Sequence, residues 1–226
     1  MADWLKFDWQ RSSRTGVPEA VLSAGKSDDQ LAHIAALARE RNVPLLFTRL
    51  SEVAAQQLAT HTGPDWDYDP QSRTGLLGRH PQRGDEAERI AIVAAGSADM
   101  PVASEVQRVL AFHGVPDVPL IADVGVAGLW RLLERVDDIQ CRDVVVAVAG
   151  MEGALFSVLG GLASGLVIAV PTSVGYGVSE GGKAALSSAL SSCAPGIVTL
   201  NIDNGYGAAC AALKVLRGAA GASQRS

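Results

Sequence analysis

Short apolar runs separated by helical patterns dominate the chain from residue 85 to 218. Five runs, Ile90–Ala94, Val118–Ala122, Val144–Ala149, Leu166–Val170 and Ile197–Leu200, are rich in β-branched residues and read as strands. Between and after them the spacing predicts helices over Pro101–Phe112, Gly125–Arg135, Ala154–Leu162, Lys183–Ser192 and Ala208–Arg217. The runs are continuous rather than alternating, so both faces of each strand should be covered. A strand start every ~20–30 residues is the length of a βα unit. Right-handed crossovers then give a doubly wound parallel α/β sheet, in which ligands bind beyond the carboxyl ends of the strands.

Residues 1–84 have a different texture, charged and irregular, with the Pro/Gly clusters TGPDWDYDP and RTGLLGRHPQRGD. Glu19–Ser23 and Pro44–Thr48 read as strands, and Asp28–Arg41 as a helix capped by Ser27. The polar stretch His80–Asp85 marks a boundary. The expected organisation is a small N-terminal α/β domain (1–84), a larger Rossmann-type domain (85–218) and a disordered tail (219–226).

Composition narrows the function. The 226 residues are 48% apolar and 19% charged with a net charge of −5, enough for a large core. No long basic run exists, which argues against nucleic-acid binding. The N-terminus lacks an apolar signal region. Gly153–Ser179 is uncharged but holds six glycines and a proline, so it reads as helix, strand and loop rather than a membrane span. A cytoplasmic protein without membrane contact is expected. The three cysteines, Cys141, Cys193 and Cys210, are too few for a disulfide framework. The histidines, His33, His61, His80 and His113, show no metal-ligand spacing, so no metal site is expected.

The strand-end loops carry the candidate chemistry. Gly96-Ser97-Ala98-Asp99-Met100-Pro101 opens a helix and suits an anion, or is a plain βα turn. In Gly150-Met151-Glu152-Gly153, Glu152 stands at the mouth of an apolar sheet, where it can move protons or merely favour a helix N-terminus. Thr172, Ser173, Gly175 and Tyr176 lie in a glycine-rich loop open to a planar ligand, or in an ordinary surface loop. Cys193, in SSCAPG, is a nucleophile or a buried hydrophobe. Asn201, Asp203 and Asn204 offer groups for ribose or a metal, or cap the final helix.

Taken together, AAGSADMPVASE resembles the phosphate-binding segment of PurE-type aminoimidazole ribonucleotide carboxylases. AVAGMEGAL, VIAVPTSVGYG, SSCAPGI and NIDNGYGAA resemble the PurE-related LarB family more closely. The N-terminal text DWQRSSRTGVPEAVLSAGKS is similar to that family's first domain through Asp8, Arg11, Arg14, Gly16, Pro18, Glu19, Gly25 and Lys26. The resemblance implies a flavodoxin-like fold. It also implies a synthase that carboxylates the pyridinium ring of nicotinic acid adenine dinucleotide (deamido-NAD) with CO2 or bicarbonate. The phosphoanhydride is then hydrolysed, with Mg or another divalent cation as a possible aid, releasing AMP. The product is the first intermediate of the nickel-pincer nucleotide.

By that resemblance Cys193 is the nucleophile and Glu152 the acid/base residue. Lys26 or an arginine holds phosphate or CO2-derived charge, and Gly96, Ser97 and Asp99 hold phosphate or ribose. Gly150 and Met151 bind substrate, Thr172, Ser173, Gly175 and Tyr176 line the ring or CO2 pocket, and Asn201, Asp203 and Asn204 contact the nucleotide. By analogy with PurE a homo-oligomer is expected, dimer-based and up to an octamer. Trp130, Phe156 and Lys183 depart from the family pattern, which has histidine, proline and an apolar residue there. Two other readings compete: a purine-pathway carboxylase or mutase, which needs a histidine in the Glu152 loop, and a non-catalytic nucleotide-binding module.

Overall fold

The computed structural model describes residues 5–82 and 86–223, with side chains through residue 218. The chain divides into two compact units, Met1–His80 and Pro81–Ser226.

The N-terminal unit contains α1 (Arg11–Thr15), β1 (Val21–Leu22), α2 (Asp28–Glu40), β2 (Leu45–Thr48), α3 (Glu52–Thr62), β3 (Trp66–Asp69) and β4 (Thr74–Leu77). Its sheet has the order β1-β2-β4-β3, with β1 parallel to β2 and the other pairs antiparallel. Ser27 caps α2 through a full capping box with Gln30, so two otherwise unpaired N–H groups are satisfied. Leu31, Ile34, Ala35 and Ala38 on α2 pack with Leu45, Phe47, Ala55 and Leu58. The β3–β4 hairpin and α3 occupy text that looked irregular. The Asp69 carboxylate accepts the Ser72 N–H at 2.8 Å, and Arg73 takes a left-handed conformation (φ 54°), so side chains close the turn without an Asn-Gly signal.

The larger unit runs β5 (Ile90–Ala94), α4 (Met100–Phe112), β6 (Leu120–Ile121), α5 (Leu129–Leu133), α6 (Val136–Gln140) and β7 (Val144–Ala149). It continues with α7 (Ala154–Leu162), β8 (Leu166–Pro171), α8 (Lys183–Ser191), β9 (Ile197–Thr199) and α9 (Gly205–Ser223). All five strands are parallel in the order β6-β5-β7-β8-β9. Val145, Ala147, Ala149, Val167 and Ala169 face Leu155, Phe156 and Leu159 of α7 and Ala185 and Ala189 of α8. The alternate residues Val144, Val146, Val148, Ile168 and Val170 are buried toward the opposite face, where α4 and α9 pack. Burial on both faces explains why these strands are apolar throughout.

Two segments differ from expectation. The helix predicted over Gly125–Arg135 is a 3-10 turn (Val126–Gly128) followed by the short α5. The tail expected over 219–226 is helical as far as Ser223, because the alanines there sustain α9; residues 224–226 lie outside the described residues. Among the described residues no helix is long and apolar enough to cross a membrane.

Candidate active site

Strand order reverses between β5 and β7, and a cavity of about 460 Å³ opens there at the carboxyl ends. Its wall is built from four loops: Ala95–Asp99 after β5, Asp123–Ala127 with Arg131 after β6, Ala149–Leu155 after β7, and Val174 after β8. Gly96, Ser97, Asp99, Gly150, Met151 and Glu152, all expected from sequence, therefore meet in one place.

The floor is held by buried polar ties. Asp99 is 4% exposed. Its Oδ1 accepts the Thr172 hydroxyl at 2.6 Å, and its Oδ2 accepts the Gly96 N–H at 2.9 Å. Burial, above all, pushes the Asp99 carboxyl up from its usual value, opposed by the bonds from Thr172, Gly96 and Gly150 and reinforced by the charge of Asp203. One carboxyl thus joins the loops after β5, β7 and β8. Asp203 extends the same floor: its Oδ1 accepts the Ser173 N–H at 2.8 Å, and its own N–H donates to Pro171 O at 2.9 Å.

The β7 loop is shaped by tight approach. Met151 donates its N–H to Val174 O at 2.8 Å and stands at φ 51°. A Cβ on Gly150 would overlap the Val174 carbonyl and lie 2.7 Å from Thr172 Oγ1, so only glycine fits. Glu152 emerges from this turn exposed.

Sequence reasoning missed Asp123 and Arg131. Arg131 Nη1 sits 2.6 Å from Asp123 Oδ2, and its guanidinium lies against Gly128, where a Cβ would be 2.8 Å from Nε. Arg131 is the cationic side chain of the wall, and its ion pair with Asp123 fixes its position there. The only sequence signal was an arginine on the helix after β6.

The remaining candidates are placed elsewhere. Tyr176 is 77% exposed in the loop after β8 with Gly175. Asn204 Oδ1 accepts the Gly207 N–H at 2.9 Å and so caps α9, while Asn201 is exposed and turns back on the Ile202 N–H. Lys26 belongs to the N-terminal unit, where Nζ donates to Leu22 O at 2.7 Å. Of the family departures, Trp130 is exposed, Phe156 fills the core beneath Gly153, and Lys183 is exposed at the start of α8.

Cys193 is exposed, not buried as a hydrophobe. Burial raises the Cys210 thiol instead, which makes it a poor nucleophile. Cys193 follows α8 and precedes β9, so it stands at the amino edge of the sheet, opposite the edge that carries Glu152. One chain does not bring the two together. Among the described residues no group of three or more His, Cys, Asp or Glu side chains gathers as a metal site.

The comparisons with known proteins agree with this architecture. Residues 2–79 match the LarB/PurE-like N-terminal domain, and residues 89–224 match the AIR carboxylase family. An uncharacterised protein of Methanocaldococcus jannaschii is 35% identical over 210 residues, covering 90% of this chain and 80% of that protein. A parallel five-stranded sheet with its cavity at the β5/β7 reversal, preceded by a LarB-type first domain, places this chain in the AIR carboxylase family, in the LarB branch related to PurE.

Proposed function

We propose that the protein carboxylates the pyridinium ring of deamido-NAD and hydrolyses its phosphoanhydride. The products are AMP and pyridinium-3,5-biscarboxylate mononucleotide, an intermediate of nickel-pincer nucleotide assembly. One observation carries this reading: a LarB-type first domain accompanies a cavity whose wall offers a carboxyl (Glu152) and a guanidinium (Arg131) and no imidazole. A PurE-type reaction was expected to require a histidine in the Glu152 loop, and none is there.

The chemistry gives each group a task. A pyridinium ring is electron-poor and does not attack CO2. Addition at C4 of the Cys193 thiolate, supplied to the Glu152 edge by a second copy of the chain in a homo-oligomer, places the electron pair in a dihydropyridine whose C5 is nucleophilic. C5 attacks CO2, forming the new carbon–carbon bond. Glu152 takes the C5 proton, and departure of the thiolate from C4 restores the aromatic cation. The net change is replacement of a ring hydrogen by carboxylate with release of a proton, and no oxidant enters. Arg131 holds the ring carboxylate or a phosphate. A divalent cation such as Mg²⁺ that assists hydrolysis would be held by the pyrophosphate oxygens of the substrate.

The test is incubation of the protein with deamido-NAD, 13C-bicarbonate and Mg²⁺. AMP together with a nucleotide heavier by one labelled carboxyl is expected. AMP without carboxylation, or neither product, rejects the proposal.

A further inference from the structure

Resting on the thiolate chemistry proposed above, we infer that Ser157 and Gly160 are positioning residues for the Cys193 sulfur: they clamp the loop that carries it onto α7 from both sides. Helix α8 ends at Ser191, and Ser192 turns extended (ψ 134°) into the loop. The Ser192 hydroxyl bonds the Ser157 hydroxyl at 2.8 Å, and its oxygen also accepts the Ala194 N–H at 3.3 Å. The second bond closes a short ring of backbone around Cys193, and the first anchors that ring to α7.

The far side of the loop is held by shape. A Cβ on Gly160 would lie 2.8 Å from Ala194 Cβ and 2.8 Å from Ile197 Cδ1, so glycine lets the residue after Cys193 rest directly on the helix. Ser157 and Gly160 are three positions apart and therefore share one face of α7. The exit is fixed as well. Gly196 turns at φ 81°, and its carbonyl oxygen accepts the Val167 N–H at 3.0 Å. None of these ties uses the sulfur, which stays exposed.

A nucleophile that must meet one particular ring carbon depends on such ties. Misplacing a reacting atom by about 1 Å costs on the order of 100-fold in rate. Ser157 and Gly160 are not part of the cavity wall, so loosening the clamp slows the chemical step and leaves ligand affinity alone.

The experiment uses full-length protein and two readouts. Steady-state carboxylation of deamido-NAD gives kcat and KM. Hydrogen exchange followed by mass spectrometry gives the protection of the Ala194 amide, which is easily isolated because Pro195 carries no N–H. Ser157→Ala should lower kcat about tenfold at unchanged KM and speed Ala194 exchange about tenfold, with the urea midpoint unchanged. Ser157→Thr keeps the hydroxyl and should restore both. Gly160→Ala should lower kcat in the same way, and Ala194→Gly in the same chain, which gives back the room, should recover most of it. Wild-type kcat in Ser157→Ala, or losses that Ser157→Thr and Ala194→Gly leave uncorrected, overturn the inference. If wild type does not carboxylate deamido-NAD, the proposed function falls and exchange decides alone. Faster exchange at Ala194 in Ser157→Ala then sustains the clamp, and unchanged exchange overturns it.

Discussion

Asp99 and Thr172, 73 positions apart in the chain, share a buried hydrogen bond of 2.6 Å that fastens the loop after β5 to the loop after β8. Replacing Thr172 by Val removes the hydroxyl and keeps the shape, leaving a buried carboxyl one donor short. Such a loss costs about 1–3 kcal/mol. Urea titration of Thr172→Val should show a lower midpoint at unchanged slope; an unchanged midpoint would show that the tie contributes nothing.

The same carboxyl predicts a pH dependence. Its folded-state pKa lies above the unfolded value, so the folded state binds a proton where the unfolded chain does not. Stability contributed by Asp99 is therefore full below the unfolded value of about 4 and declines as pH rises to the folded value, above which it is flat. Asp99→Asn should remove that decline. Melting curves of wild type and variant across this window check it, and parallel curves would refute the assignment.

Two glycines should respond in opposite directions. Gly150→Ala drives a methyl group into Val174 and Thr172 and should lower the melting temperature and turnover together. Gly161 is exposed in α7 with nothing within 4 Å of a Cβ, so Gly161→Ala should add about 0.5–1 kcal/mol. Calorimetry of both variants decides; destabilisation by Gly161→Ala would contradict the α7 geometry.

Arg131→Ala should raise KM for deamido-NAD about 10–100-fold, the equivalent of losing a charge-assisted bond of about 1.5–3 kcal/mol. Arg131→Lys should recover only part of it, because a point charge lacks the planar fork. Steady-state kinetics test this, and an unchanged KM for Arg131→Ala would remove the residue from the binding wall.

The central sheet was legible because burial on both faces demands unbroken apolar runs: Val144–Ala149 and Ile90–Ala94 are strands with the predicted limits. β6 shrank to Leu120–Ile121 because a sheet edge imposes fewer partners. β3 and β4 were hidden, since WDYD alternates over only four residues inside a Pro/Gly-rich stretch, TGLL does not alternate, and their turn is closed by Asp69. Most of the cavity loops were visible as small-residue stretches after strands. Arg131 was not, because only the fold turns α5 toward the β5 and β7 loops. The position of Cys193 was legible in principle: a residue between a helix and the next parallel strand must sit at the strands' starting edge.

The Asp99–Thr172 clasp also sets an order of events during synthesis. The first half of the floor is made early, yet its carboxyl has no hydroxyl to grip until β8 has left the ribosome. Asp203, which secures the neighbouring loop, arrives later still. A nascent chain stalled after α7 lacks both Thr172 and Val174, which hold the floor and shape the β7 loop, so ligand binding should begin only when translation is almost finished.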